Sequence, residues 1–265
     1  MYVAQLSFKV IADTDFNRAE AAIRRYIEAL IFNGQVLGRE FPTAWQQDTF
    51  VSRLVLPAED ALQAKHHSQR GLAAQQQLAN AGLAYPKIQI LGMDLMSQHT
   101  DPDNNGTEYI LYCRFSDTCS PLRSAAHLAP IPLYQLATAQ GDHEALIRWQ
   151  LQYQALDEIQ MQHSRVLSKS AERSLQQLHS KLNRQGRRLA KQLAQQNKVK
   201  VYYALYSGSS ANCAAEATKP CPGCGKDWRL PQPQAQLFDF KCDNCNLVSN
   251  IAWDCQSPAD EQGES

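Results

Sequence analysis

Apolar residues recur at helical spacing early in the chain: Ala19, Ala22, Ile23, Tyr26, Ile27, Leu30 and Ile31 form one face of a helix that Thr14 or Asp15 can cap. Before it, Tyr2 to Val10 reads as a strand; after it, Thr49 to Leu56 reads as a second strand that Pro57 ends. A second helix is expected from Glu59 to Asn80, closed by Gly82. Lys87 to Leu95 and Glu108 to Phe115 supply two further strands, joined by a polar loop from Ser97 to Thr107 with an Asn105-Gly106 turn. The resulting β-α-β-α-β-β order predicts a small α/β sandwich, with helices on one side of a mostly antiparallel sheet.

Ser116 to Gln140 contains Pro121, Pro130 and Pro132 and reads as a connector packed against that domain. Asp142 to Asn197 has no proline and one glycine, Gly186, and predicts either one long helix or a hairpin breaking around His163 to Ser170. Val199 to Tyr206 is β-branched and aromatic enough for a strand. Ser207 to Pro220 reads as a small-residue linker and 256–265 as an acidic disordered tail. The expected class is α+β, with an α/β domain and connector over 1–140, a helical segment and strand over 141–206, and a small zinc ribbon over 219–255.

The ribbon rests on Cys221, Cys224, Cys242 and Cys245, two Cys-x-x-Cys pairs separated by seventeen residues. Each pair can sit on a tight turn, and two such turns complete an all-sulfur tetrahedron around one Zn2+ ion. Pro222, Gly223 and Gly225 favour the first turn, and Asn246 takes the place of the final glycine in the second. Four thiolates leave no open coordination position, so the metal would be structural. A redox pair would need one Cys-x-x-Cys at the start of a helix after a strand. Disulfides would ask for an oxidising compartment, and the amino end has no signal-peptide zones, so the expected address is the cytoplasm.

Net charge is zero, with 26 basic and 26 acidic residues, yet the charge is segregated. From Arg165 to Lys200 ten Lys and Arg face the single acid Glu172. On a continuous helical wheel Lys169, Arg173, Lys181, Arg184, Arg187, Arg188 and Lys191 share one face, opposite a face of leucine and alanine. That predicts a cationic stripe ~35–40 Å long. Its partner could be nucleic acid (DNA or RNA), another protein, or the chain's own acidic part. The apolar face lacks Trp and Phe and no apolar run approaches ~18 residues, so no membrane partner is expected.

Within the ribbon four basic residues balance four acids, and Lys226, Arg229 and Lys241 are the best polar contact candidates. Trp228, Phe238, Phe240 and Trp253 could stack on bases, but a module this small needs large side chains for its own core. A nucleophile assembled from Cys119, His127 and Asp117 has no support from spacing. Cys113 reads as a buried small residue and Cys119 as the more exposed thiol. No phosphate-binding glycine loop, His-Glu-x-x-His or Gly-x-Ser-x-Gly occurs, so no catalytic residue is assigned.

Cys-Pro-Gly-Cys-Gly-Lys-Asp-Trp (221–228), Phe-Asp-Phe-Lys-Cys-Asp-Asn-Cys-Asn-Leu-Val-Ser-Asn (238–250), Tyr-Tyr-Ala-Leu-Tyr (202–206) and Phe-Ser-Asp-Thr-Cys-Ser-Pro-Leu (115–122) together resemble an uncharacterised bacterial family. That family is described as zinc-ribbon-containing and is linked to nucleic-acid binding. The resemblance covers most of the chain, implies the four ribbon cysteines as zinc ligands, and names no enzyme activity. The expectation is a zinc-binding, non-enzymatic, nucleic-acid-associated protein; the alternative is an adaptor whose helices and ribbon dock a partner chain.

Overall fold

The structure, a computed structural model, describes residues 1–38, 40–101, 106–162 and 166–256. Along the chain run β1 (Tyr2–Lys9), α1 (Phe16–Phe32), β2 (Thr43–Gln46), β3 (Thr49–Leu56), α2 (Gln69–Asn80), β4 (Lys87–Met93), β5 (Glu108–Leu111) and β6 (Leu122–Ser124). There follow α3 (Glu144–Met161), α4 (Ser168–Gln176), α5 (Lys181–Asn197), β7 (Lys200–Leu205), α6 (Cys213–Glu216), β8 (Arg229–Gln234), β9 (Phe238–Cys242) and β10 (Leu247–Ser249). The class is mixed α+β. The chain forms two compact units, one built from 1–104, 117–122 and 129–147 and the other from 105–116, 123–128 and 148–265.

In the first unit an antiparallel sheet runs in the order β2-β3-β1-β4. With α1 after β1 and α2 after β3, this is the β-α-β-β-α-β arrangement of the split-βαβ motif. Alternation puts Ala4, Leu6 and Phe8 of β1 and Phe50, Leu54 and Leu56 of β3 on one face. They share a core with Ala22, Ile23, Tyr26, Ile27 and Leu30 of α1 and Ala74 and Leu78 of α2. Asp15 caps α1, accepting from the Arg18 N–H at 2.8 Å.

Three sequence expectations change in this unit. The strand β2 had no signal because all four of its residues are exposed, leaving no apolar alternation to detect. It hairpins onto β3 through Gln47 and Asp48, with Gln47 at φ 58°. The second helix starts at Gln69, not Glu59, because Ser68 caps it by accepting from the Gly71 N–H at 3.1 Å. Strand β4 ends at Met93, two residues early. The expected turn residue Asn105 lies outside the described residues.

The second unit is organised on a six-stranded sheet ordered β6-β5-β7-β10-β9-β8. Strand β7 is flanked in parallel by β5 and β10, whereas β10, β9 and β8 follow one another antiparallel. Strand β5, read with the amino-terminal strands from the sequence, therefore belongs here, and it ends at Leu111 instead of Phe115. Helix α5 lies on β7, where Gly186 gives room to aromatic rings: a Cβ there would come within 2.4 Å of Tyr203 and 2.8 Å of Trp149. The hairpin from β8 to β9 turns at Ala235 and Gln236, both at positive φ, and β8 carries Pro231 and Pro233 at the sheet edge.

The helical stretch is neither one helix nor a simple hairpin, because a second break falls between α4 and α5. Buried Asn183 explains it. Its amide donates to the Leu175 and Gln177 carbonyls, both at 2.8 Å, and its oxygen accepts from the Tyr203 hydroxyl at 2.6 Å. Ser180 then caps α5, accepting from the Asn183 N–H at 3.1 Å. Of the earlier expected break over 163–170, His163, Ser164 and Arg165 lie outside the described residues, while α3 ends at Met161 and α4 starts at Ser168; most of the expected tail also lies outside the described residues. Among the described residues no helix is long and apolar enough to cross a membrane.

Candidate metal centre

The four sulfurs of Cys221, Cys224, Cys242 and Cys245 lie within 4.8 Å of one another. Two turns bring them together. The first precedes β8 and is closed by Gly225 N–H to Cys221 O at 2.8 Å and Cys221 N–H to Lys226 O at 2.9 Å. The second joins β9 to β10, whose pairing sets Leu247 opposite Cys242. Gly225 and Asn246, each directly after the last cysteine of its turn, both take positive φ, at 72° and 50°. Gly223 is required for a different reason: a Cβ there would meet Cys245 Sγ at 2.7 Å.

The geometry suits a metal. Four sulfurs held ~2.3 Å from one ion sit ~3.8 Å apart along the tetrahedron edges. The Cys224 and Cys242 sulfurs are 3.6 Å apart. The cluster could hold a metal ion, and its thiols are already unequal. The backbone N–H of Lys226 pulls Cys224 down to about 7, while burial and the neighbouring sulfurs push Cys245 up to about 12. A cation removes that conflict by stabilising all four as thiolates.

Polar contacts that the sequence did not reveal brace both turns. Asp243, inside the second Cys-x-x-Cys, accepts from Lys200 Nζ at 2.6 Å and from the Tyr202 hydroxyl, both on β7. These partners, Lys200 first, hold its carboxyl below the ordinary range. Buried Glu216 on α6 accepts from Lys219 Nζ, from the Ala252 N–H at 2.9 Å and from Ser207 Oγ at 3.3 Å. Burial alone would raise its pKa, but the Lys219 ammonium and the Ala252 N–H win and lower it. Trp228 Nε1 donates to the Lys219 carbonyl at 3.0 Å, fixing the approach to Cys221. The only hint in the sequence was Asn212 ahead of Cys-Ala-Ala-Glu, a cap before helix formers inside an apparent linker.

The cationic candidates are redistributed. The break at 177–180 places Lys169 and Arg173 on α4 and Lys181, Arg184, Arg187, Arg188 and Lys191 on α5, so no single stripe of ~35–40 Å exists. What remains on α5 is a face ~15 Å long. Lys181, Arg184, Arg188 and Lys191 are exposed there and Arg187 is half-buried. In the cysteine module Arg229 pairs with Asp239 at 3.3 Å and lies over the Phe240 ring. Lys241 pairs with Glu108 at 3.2 Å and lies over Tyr202, whereas Lys226 is exposed. Trp228, Phe238 and Phe240 are buried, and Trp253 is 45% exposed. Cys113 is buried as expected, but Cys119 is buried too, correcting its reading as the more exposed thiol. A further feature was missed: Cys213 and Cys255 form a disulfide, with Cys213 opening α6 in the stretch read as a linker.

An α+β chain with a carboxy-terminal four-cysteine cluster is thus the class that fold and site define. Three successive domains of unknown function match it: DUF8589 over residues 1–92, DUF2310 over 103–206 and DUF8594 over 210–255, the last enclosing the six cysteines from Cys213 to Cys255. The chain belongs to the family of an uncharacterized protein of Haemophilus influenzae, to which it is 30% identical over 259 residues, 96% of this chain and 99% of the relative. A second uncharacterized protein of that organism is 34% identical over 176 residues, 66% of this chain and 86% of its own length.

Proposed function

We propose that this is a zinc-binding, non-enzymatic protein that associates with nucleic acid through the exposed cationic face of α5. Zinc is the preferred ion because four thiolates in a tetrahedron suit it and leave no vacant position for chemistry. In this reading the four-cysteine module is a zinc ribbon whose metal supplies folding free energy that so short a segment cannot obtain from apolar burial. Its ion-paired Arg229 and Lys241 make it a support for the binding surface, with Lys226 as its free contact.

One observation carries the nucleic-acid reading. Lys181, Arg184, Arg188 and Lys191 recur on one face of α5, and among the described residues none of them forms an ion pair. Like charges at helical spacing repel by a few tenths of a kcal/mol per pair. A phosphate backbone relieves that repulsion and releases counterions.

The test is binding of the zinc-loaded protein to labelled single- and double-stranded DNA and RNA between ~50 and ~200 mM salt. Substituting Arg184, Arg187, Arg188 and Lys191 with Gln should weaken binding to every sequence alike. It should also flatten the log–log salt slope by about 3–4 on duplex DNA. A variant that binds as the parent does removes α5 from the surface. No binding at the lowest salt by the parent protein transfers the helices to the protein-docking alternative.

A further inference from the structure

We propose that Cys213 and Cys255 form a redox latch that, once oxidised, closes the four-cysteine module into a covalent ring and retains its metal. This rests on the metal reading of the cluster. The disulfide spans 42 positions of sequence and encloses all four cluster cysteines. Cys213 lies eight residues before Cys221, and Cys255 ten residues after Cys245.

Exposure selects this pair from the eight cysteines of the chain. Cys113 and Cys119 are buried, and the other four are gathered in the cluster. Cys213 is exposed and Cys255 half-buried, so a dissolved oxidant can reach them.

The backbone around them is held in place independently of the sulfurs. Asn250 Nδ2 donates to the Ser207 carbonyl at 2.8 Å, and its oxygen accepts from the Ser207 N–H at 3.2 Å. Trp253 N–H donates to Ser207 O at 3.2 Å and Asp254 N–H to Gly208 O at 3.1 Å. Both Asp254 oxygens accept from the Ser210 N–H, at 3.1 and 3.2 Å. Glu216, three residues after Cys213, holds the Ala252 N–H. The Cα atoms of the two cysteines are 5.1 Å apart, inside the ordinary disulfide range. Closing or opening the latch therefore asks for no rearrangement of the segments that carry it.

The chemistry needs a low-molecular-weight disulfide such as oxidised glutathione. The Cys213 thiolate attacks one of its sulfurs, expelling one glutathione thiolate and leaving a mixed disulfide. The Cys255 thiolate then attacks Cys213 sulfur and expels the second. Two electrons pass to the glutathione sulfurs, and the two protons from the protein thiols end on the released glutathione or in solvent. Because the ring restricts the metal-free chain far more than the metal-bound one, oxidation should slow metal loss.

The sulfurs of Cys213 and Cys255 with the Asp254 carboxylate also lie within 4.8 Å of one another, as a small metal site would. Here, however, the sulfurs are joined to each other and the carboxylate is engaged by Ser210, so the latch is the reading the geometry favours.

The test uses the full chain purified with zinc, split between oxidised glutathione and a phosphine reductant. Metal content and peptide maps are followed by zinc release to a chelator. Expected are one zinc per chain in both states and a Cys213–Cys255 linked peptide in the oxidised sample alone. Release should be at least ~10-fold slower when oxidised, a difference lost in both Cys213→Ser and Cys255→Ser. Equal release from the oxidised and reduced parent overturns the latch without needing either variant to fold. Linkage of Cys213 or Cys255 to a cluster cysteine overturns it as well. A second zinc in the reduced sample, shed on oxidation, replaces it with a thiolate–carboxylate metal site. Absence of zinc from both samples defeats the metal reading itself, and the retention proposal with it.

Discussion

The two units differ in what is added to their apolar cores. The first buries an apolar face of β1 and β3 against α1 and α2, in a core that runs from Ala4 to Leu83 with Tyr134 added. Polar side chains there cap helices, as Asp15 and Ser68 do, or tie segments together, as buried Gln35 does by donating to the Ala61 carbonyl at 2.7 Å. The second unit also buries an apolar cluster, with Ile110, Tyr202, Phe238 and Val248 in it, but its carboxy-terminal module of short strands, prolines and turns adds the gathered sulfurs of Cys221, Cys224, Cys242 and Cys245 and the charged contacts of Asp243 and Glu216. A core of many small apolar contributions degrades gradually under substitution. A four-ligand centre fails when one ligand goes.

The sharpest way to break this comparison is Cys242→Ser. It should abolish stoichiometric metal binding and forfeit most of the ~10–16 kcal/mol that a structural zinc site contributes to such modules. In hydrogen exchange read by mass spectrometry, peptides across 221–250 should lose protection while those across α1 and β1 keep theirs. Loss of protection in both regions would mean that the first unit leans on the metal after all.

Gly186→Ala should have a smaller effect and one confined to the packing of α5 on β7. Alanine gains ~1 kcal/mol over glycine in a helix, and overpacking costs ~1–3 kcal/mol. With Tyr203 only 2.4 Å from the added Cβ, the upper end applies, for a net loss of about 2 kcal/mol. A denaturant midpoint measures it, and metal content should stay at one per chain. Metal lost together with stability would show that β7 transmits the damage to the cysteine turns.

The gentlest probe is acid. His67 and His143, both in the first unit, have pKa values lowered by burial. The unfolded chain therefore binds protons near the ordinary histidine value of ~6.5 that the folded unit refuses. Their stabilising contribution is complete above that value and is lost as pH falls below it. Between pH 7 and 5 the exchange protection of α1 should decline, and His143→Gln should flatten the decline. A flat profile in the parent protein would remove these histidines from the account.

The features legible in the sequence were those carried by a local pattern. Asp15 and the apolar face of α1, the strands β1, β3, β4 and β7, and the spacing of the four cysteines all announce themselves within a few residues. Exposed β2 has no such pattern, and nothing near Glu108 reports that β5 pairs with Lys200–Leu205 some ninety positions away. The bend between α4 and α5 depends on Asn183 meeting carbonyls of the preceding turn, which a periodicity argument cannot register. Nothing inside the second Cys-x-x-Cys reports that Asp243 meets Lys200 and Tyr202 of β7. Cys213 was hidden by the small residues around it.

Strand β8, one of the two edges of the six-stranded sheet, has proline at two of its six positions, Pro231 and Pro233. Neither can offer an N–H to an incoming strand. Without them that edge would present an open ladder to a neighbouring chain. The prolines make that border a poor template for strand addition and for fibrils.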